Sequence, residues 1–306
     1  MKGWPILAVL AALAAVPLAI SDNTALNFMV GALIVALAAQ GWNLLGGFGG
    51  QLSFGHAAFY GTGAYVTALL QQHGVNAWAG AALGVAAGAL VGAVVGFLSF
   101  RAGLRGSYFA LVTLAFAEVL RIGTNAAPLT GGAAGLLVRL DVRAANFQFA
   151  SRATFFYVAL GCVAAALLLT WFIGRSRFGA QLAAVRENEE AARALGIDAF
   201  ATKLRAITLS AAVTAAAGVL YVQYYLYIDA GLAYGAGVSV AALLAPVVGG
   251  VGTVLGPVVG AMALEGLGQL TRLAAGPVPG VDQVLFGLML VAAIAFVPGG
   301  LVGKRA

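Results

Sequence analysis

The sequence predicts an all-α integral membrane protein, a polytopic helical bundle of about eight to ten spans that includes broken or half helices. Three observations carry that reading. The 306 residues are 62% hydrophobic and only 8% charged, with a mean hydropathy of +0.99, whereas a soluble domain is about 45–50% apolar and about 25% charged. Apolar runs of about 20 residues, enough to cross a hydrocarbon core of about 30 Å, recur with short polar joints. The alternation over about 10 residues that marks a membrane barrel is missing. Residues 1–306 therefore read as one transmembrane domain with a charged loop, 175–205, set into it.

The runs fall at about 4–20, 25–45, 52–71, 77–100, 106–121, 153–174, 205–228, 237–250, 252–272 and 283–300. The first could pass for a secretory signal, but its apolar stretch from Trp4 to Ile20 exceeds the usual signal core of about 7–15 residues, so a retained span is preferred. The run at 237–250 is too short to cross at about 1.5 Å per residue and reads as a half-helix or a broken helix. Cys162, the one cysteine, sits in an apolar run and reads as a small core residue.

Glycines recur every fourth residue at 80, 84, 88, 92 and 96, and again at 252, 256 and 260. Such spacing opens a groove along one helix face where another backbone can approach, so Gly84, Gly88, Gly92, Gly252, Gly256 and Gly260 are read as packing positions. The stretches "GGFGGQLSFGHAAFYGTGAYVTALL" (46–70) and "AYGAGVSVAALLAPVVGG" (233–250) each open on glycine and serine and then turn apolar. That order makes an inverted internal repeat a candidate, with chance convergence of Gly/Ala-rich helices as its rival.

Polar residues crowd the first of these stretches. Irregular backbone at membrane depth is tolerated only where protein buries it or water reaches it. Residues 49–56, with Gln51, Ser53, His56 and Tyr60, are accordingly the first candidates for lining a pathway, and 235–239, with Ser239, the counterpart. His56 has no carboxylate or cysteine at ligand spacing, so no metal is expected. Ser53 and His56 lack a carboxylate to orient a base, so no catalytic residues are assigned.

With the amino terminus in the cytoplasm, eleven basic residues fall inside (Lys2, Arg101, Arg105, Arg175, Arg177, Arg186, Arg193, Lys203, Arg205, Lys304, Arg305) and five lie outside or near the outer end (Arg121, Arg139, Arg143, Arg152, Arg272). The excess supports that orientation. No basic cluster with interleaved aromatics points to nucleic acid.

The window from Arg175 to Arg205 holds 10 of the chain's 26 charged residues. Within "VRENEEAARALGIDAF" the acids come early, Arg193 follows one turn later, and Gly196 suits a helix end. Positions 184, 188, 191, 192 and 195 keep helical spacing, so a short amphipathic helix with Ala191, Ala192 and Leu195 on one side is expected. Its apolar face is too small to lie on a membrane, and a groove on a partner fits it better than plain solvated filler. A second short turn, capped by Asp198, is expected after it.

Glu190-Ala191-Ala192, three further residues and Gly196 resemble the EAA-x-x-x-G signature of bacterial ABC importer permeases, without the Ile-x-Leu-Pro that completes it. "SRFGAQLAAVRENEEAARALGID", "GGQLSFGHAAFYGTGAY", "LRGSYFALVTLAFAEVLR", "LTGG", "VVGGVGTVLGPVVGA" and "VPGGLVG" look like segments of the branched-chain amino acid permease family, LivM type, in order from about residue 40 onward. The resemblance implies a multi-pass permease of the bacterial inner membrane, its amino terminus and 175–205 loop cytoplasmic. It would pair with a LivH-type permease subunit and work with two cytoplasmic ATPase subunits and a periplasmic substrate-binding protein in the lipid bilayer. Arg186, Glu187, Glu190, Ala191, Ala192, Leu195 and Gly196 would then carry the coupling to the ATPases.

No G-x-x-x-x-G-K-[ST] loop occurs, so ATP and Mg would be used by the partner subunits, and no cofactor is expected on this chain. The implied cargo is a branched-chain or other hydrophobic amino acid, with urea, an amide or another small solute as alternatives. An ion-coupled secondary transporter is the rival mechanism and would need an ionisable group near the midplane. Glu118 and Arg121, three apart, are read as a structural pair; Glu265, midway along its run, is read as a packing or interface residue ahead of a substrate contact. Asp229 and Asp282 are placed near outer span ends, facing water or the binding protein.

Overall fold

The computed structural model describes residues 4–19, 22–275, 280–281, 284–285, 287–288, 291–292 and 299–302. Lys2, Asp282, Lys304, Arg305, the side chain of Arg272 and most of the run at 283–300 lie outside the described residues.

Helices occupy nearly every expected run. They are α1 (Trp4–Ala19), α2 (Asn23–Trp42), α3 (His56–Gln72), α4 (Ala77–Arg101), α5 (Gly106–Ala126) and α6 (Arg152–Ile173), followed by the short α7 (Arg177–Glu187) and α8 (Glu189–Ala194). The long α9 (Ala199–Tyr225) leads into α10 (Ala230–Tyr234), α11 (Ala236–Gly249) and α12 (Gly256–Ala275). Among the described residues, six helical stretches are long and apolar enough to cross a bilayer: 23–48, 77–101, 106–126, 152–173, 199–225 and 230–249. α1 and α3 are shorter, at 16 and 17 residues, and α12 has the length but carries Glu265, Gln269 and Thr271.

Local chemistry sets the ends. The Asn76 side chain accepts from the backbone of Trp78 and Ala79 and starts α4, while Asp22 does the same for α2. α2 does not stop at Trp42 but loosens into a π-helical turn, Asn43–Phe48, where "NLLGGF" offers two adjacent glycines and little propensity to hold an α-helix. The expected third span begins only at His56, leaving 50–55 as irregular backbone.

α9 is the centre of the bundle and packs against α2, α3 and α4, with α11 and α12 against α2 on the other flank. α4 seats through its glycines. A β-carbon on Gly84 would lie 2.7 Å from the Gly63 carbonyl oxygen, one on Gly88 3.2 Å from that of Phe59, and one on Gly92 3.2 Å from that of Ile207. Its opposite face carries Leu83, Leu90, Val94 and Phe97, all exposed as a lipid-facing surface requires. The second glycine series does not share one helix. Gly252 stands in a left-handed turn (φ 73°) ahead of α12, while Gly256 and Gly260 pack on the end of α11 at Gly250, Ala245 and Gly249.

Connections sort to two ends of the bundle. At one, Arg105 reaches Glu189 (3.4 Å), Arg186 reaches Gly47, and the Leu301 and Val302 amides donate to Val248 and Gly249. At the other, a two-stranded ribbon pairs β1 (Leu136–Leu137) with β2 (Tyr227–Ile228) antiparallel. There Trp78 stacks on Phe147 at 4.1 Å, Gln72 donates to the Leu137 carbonyl, and Arg152 donates to that of Asn23. Arg139, Arg143 and Arg152 thus lie at the end opposite Arg105, Arg186 and Arg193.

Replacing Gly92 by Leu should prevent α4 from seating on α9. Overpacking of this kind costs about 1–3 kcal/mol, so thermal unfolding of the detergent-purified protein should shift downward. Leu90→Ala, at a position 65% exposed, should leave the midpoint in place.

Candidate functional site

The charged segment after α6 is two helices, where one amphipathic helix was expected. Asn188 adopts an extended conformation (φ −155°, ψ 107°) that ends α7, and its Oδ1 accepts from the Glu190 and Ala191 amides at 3.0 Å to begin α8. Gly196 takes the left-handed conformation after α8 (φ 83°). Asp198 starts no separate short turn; it caps the long α9 by accepting from the Ala201 amide. Resetting the register at Asn188 divides the predicted apolar side. Ala192 is buried against Val185 and Ala199, while Ala191 is exposed and Leu195 is 81% exposed. Glu190 and Glu187 also face outward.

One carboxylate fastens α8 to the bundle. Glu189 accepts from Lys203 Nζ at 3.0 and 3.1 Å and from Arg193 at 2.6 Å, with Arg105 at 3.4 Å. Lys203 is 3% exposed and also lies over the Phe100 ring. Burial by itself would raise the Glu189 carboxyl, but the Lys203 hydrogen bond and the charges of Lys203, Arg105 and Arg193 outweigh it and hold the group below its ordinary value. The local pattern marked Glu189 only as an early helix acid and gave no signal for Lys203, 14 residues away.

α7 buries Leu182 beside Leu44 and Leu45 and makes a polar link to the bundle through Arg186. Its Nη1 donates to the Gly47 carbonyl at 3.1 Å, and Nη2 pairs with Glu187 at 2.9 Å. Gly47 is part of the π-helical turn, and that turn meets the second glycine-rich break at 250–255. Asn43 Nδ2 donates to the Thr253 carbonyl (2.9 Å), Asn43 Oδ1 accepts from the Gly252 amide (2.8 Å), and Gln40 Nε2 donates to the Val254 carbonyl (2.8 Å). Gln40 and Thr253 did not stand out in the sequence, because these partners lie more than 200 residues apart.

The first break is held in the same way. Trp42 Nε1 donates to the Ser53 carbonyl, the Phe54 amide to Thr113, and the Gly55 amide to the Ser53 hydroxyl. His56 shares a 2.9 Å hydrogen bond with Ser210, which donates to the Gly41 carbonyl. The Ala57 amide donates to Ser239 Oγ at 2.9 Å, so the two predicted pathway segments do touch. Ser53, His56 and Ser239 are at most 1% exposed, however, and their polar atoms face packed protein instead of open space. Gln51 is half-buried and donates to the Gly49 carbonyl.

Of the five predicted lining residues, Tyr60 borders an open cavity. It faces a space of about 360 Å³ shared with Ile34, Tyr221, Tyr225, Val238 and Glu265. Glu118 and Arg121 form a two-pronged pair at 2.6 and 2.9 Å on the exposed side of α5.

The family model for the permease component of branched-chain amino acid transport systems matches residues 24–294. The LivM permease protein of the high-affinity branched-chain amino acid transport system of Salmonella typhimurium is 32% identical over 62% of this chain. The match spans only 50% of that relative's length. The LivH permease protein of Escherichia coli is 27% identical over 88% of this chain and 91% of its own. The autoinducer 2 import permease LsrC of Klebsiella pneumoniae is 34% identical over 34% of this chain and 32% of its own. No solved structure matches. The match over residues 24–294 makes the chain a member of the family of branched-chain amino acid transport permease components.

Proposed function

We propose that this chain is one membrane-spanning subunit of an ATP-driven importer that carries branched-chain or other hydrophobic amino acids into the cytoplasm. The observation that carries the proposal beyond family membership is α8, a short helix pinned to α9 by Glu189 and Lys203 yet presenting Leu195 bare to solvent. Exposing a leucine beside Glu190 and Arg193 suits a contact whose other half is another chain. In this reading two cytoplasmic ATPase subunits supply the energy and bind ATP and Mg, one of them seating Glu190, Ala191, Leu195 and Gly196. Ala192 takes part from beneath, by holding α8 to Val185 and Ala199.

A LivH-type permease completes the pair across the membrane, and a periplasmic binding protein delivers cargo at the end carrying the β ribbon. The basic residues gathered at the α7–α8 end support this orientation, with that end cytoplasmic. The cavity bordered by Tyr60, Tyr221 and Glu265 is the segment of the pathway that this subunit contributes. Cargo selection rests mainly with the binding protein, which explains how relatives named for an amino acid and for autoinducer 2 share this scaffold.

Co-purification with the ATPase subunits tests the docking surface. Leu195→Glu should recover at least about tenfold less ATPase while the permease stays monodisperse, since an interface anchor is commonly worth about 2 kcal/mol. Equal recovery would refute the assignment.

Lys203→Met should leave Glu189 without its buried cation. Removing one partner of a buried pair costs about 3–5 kcal/mol, so hydrogen exchange at the amides of Ala192 and Leu195 should accelerate.

Glu189→Gln mimics the protonated carboxyl. Because the folded value is depressed, the stabilisation is present above the ordinary value of 4.5 and disappears as pH falls through the lower folded value. Exchange in 189–196 should therefore be insensitive to the charge state of this group between about pH 6 and 8, and the Gln variant should exchange faster throughout that range.

A further inference from the structure

We propose that Arg186 is a transmission strut, the positioning residue through which movement of the cytoplasmic helices reaches both glycine-rich breaks at once. This inference rests on the importer reading above and assigns Arg186 an inward role in place of a contact with the ATPase. The guanidinium donates to the Gly47 carbonyl inside the π-helical turn. The aliphatic arm crosses directly over Gly50, where a β-carbon would collide with Arg186 Cγ and come within 3.2 Å of its Cβ and Cδ. Gly252, in the other break, is close enough that a β-carbon there would sit 3.9 Å from Arg186 Nη1. Gly47 and Gly252 are themselves in contact, since a β-carbon on Gly47 would lie 2.6 Å from the Gly252 nitrogen. One side chain thus spans the junction of the two breaks.

The physical chemistry favours a strut over a loose contact. The last carbonyls of a helix lack partners within it, and α2 with its π-helical turn directs those carbonyls toward the α7–α8 end. A cation there meets both the free carbonyl and the negative end of the helix dipole. The second prong of the guanidinium is occupied by Glu187, which fixes its orientation. At the far end of α7, the Ser176 cap and the seat of Gly179 on the Ile173 carbonyl tie the helix to α6. α7 is tied to α6 at one end and packs Leu182 against Leu44 and Leu45 along its length, and Arg186 near its other end carries the polar link from α7 to the π-helical turn and to Gly252. π-helical turns tolerate displacement because their hydrogen bonding is already irregular.

The test uses the assembled importer with a hydrolysis-deficient ATPase. In a Cys162→Ala background, spin labels are placed at the exposed positions Ala183 on α7 and Val251 in the second break. The strut requires their separation to stay fixed between the nucleotide-free and ATP-bound states in otherwise wild-type protein. Arg186→Met, which keeps the arm and removes the donors, should broaden that distance distribution and, in importer assembled with the hydrolysis-competent ATPase, lower cargo moved per ATP hydrolysed by about tenfold, the order expected of a residue within a coupling network. Arg186→Lys should recover part of the loss, because an ammonium still reaches a carbonyl. A wild-type separation that changes with ATP would overturn the proposal even if Arg186→Met does not assemble. So would Arg186→Met with an unaltered transport ratio, or with loss of ATPase binding, which would return Arg186 to the docking surface. Failure of the wild-type permease to bind ATPases would instead remove the importer reading itself.

Discussion

Two lengths of irregular backbone, 50–55 and 250–255, lie at the same end of the bundle, and the second is held against the end of α2 and its π-helical turn by the side chains of Gln40 and Asn43. Hydrocarbon offers no partner to a bare amide or carbonyl, so a broken helix survives there only if protein supplies the missing hydrogen bonds. Gln40 and Asn43 supply three of them to one break, and Trp42, Ser53, Thr113 and Ser239 supply others to the next. The uncommon polarity of this region is therefore consumed in holding the backbone. Open space is found one layer away, beside Tyr60 and Glu265.

The glycines complete that constraint. Gly47 must lie flat on the Gly252 nitrogen for Asn43 to reach both Gly252 and Thr253, and Gly50 must lack a side chain for Arg186 to pass. On α4 the same economy of volume serves a different end, bringing helices close enough for dispersion to act where no hydrophobic driving force separates them from lipid. Tight packing makes α3, α4 and α9 a single body.

Much of this was legible in the residues. Helix positions followed from apolar runs and cap chemistry, and the short run at 237–250 matched the 14-residue α11 together with the preceding α10. Within 184–195 helical spacing runs unbroken through Asn188, and that local periodicity hides the helix boundary there. An asparagine followed by two glutamates is a start signal, and once it is read that way the register resets and Ala192 parts from Leu195. The long-range partners were beyond reach for a different reason. Gln40 and Val254 are 214 positions apart and Lys203 and Glu189 belong to separate helices, so no local periodicity encodes either meeting.

Anchoring and exposure on α8 are two demands that one short helix meets with opposite residues. Six residues cannot hold a helical conformation on their own, since nucleation is unfavourable and isolated helices need about 12–15 residues to be even marginal in water. α8 therefore depends on the Asn188 cap, the Ala192 seat and the Glu189 carboxylate, all directed inward or along the axis. That leaves Glu190, Ala191 and Leu195 free of structural duty. A helix fixed this firmly does not bend when pressed on its bare side; it moves as a unit with the start of α9 and the end of α7, and the Arg186 side chain is what the end of α7 carries to the breaks.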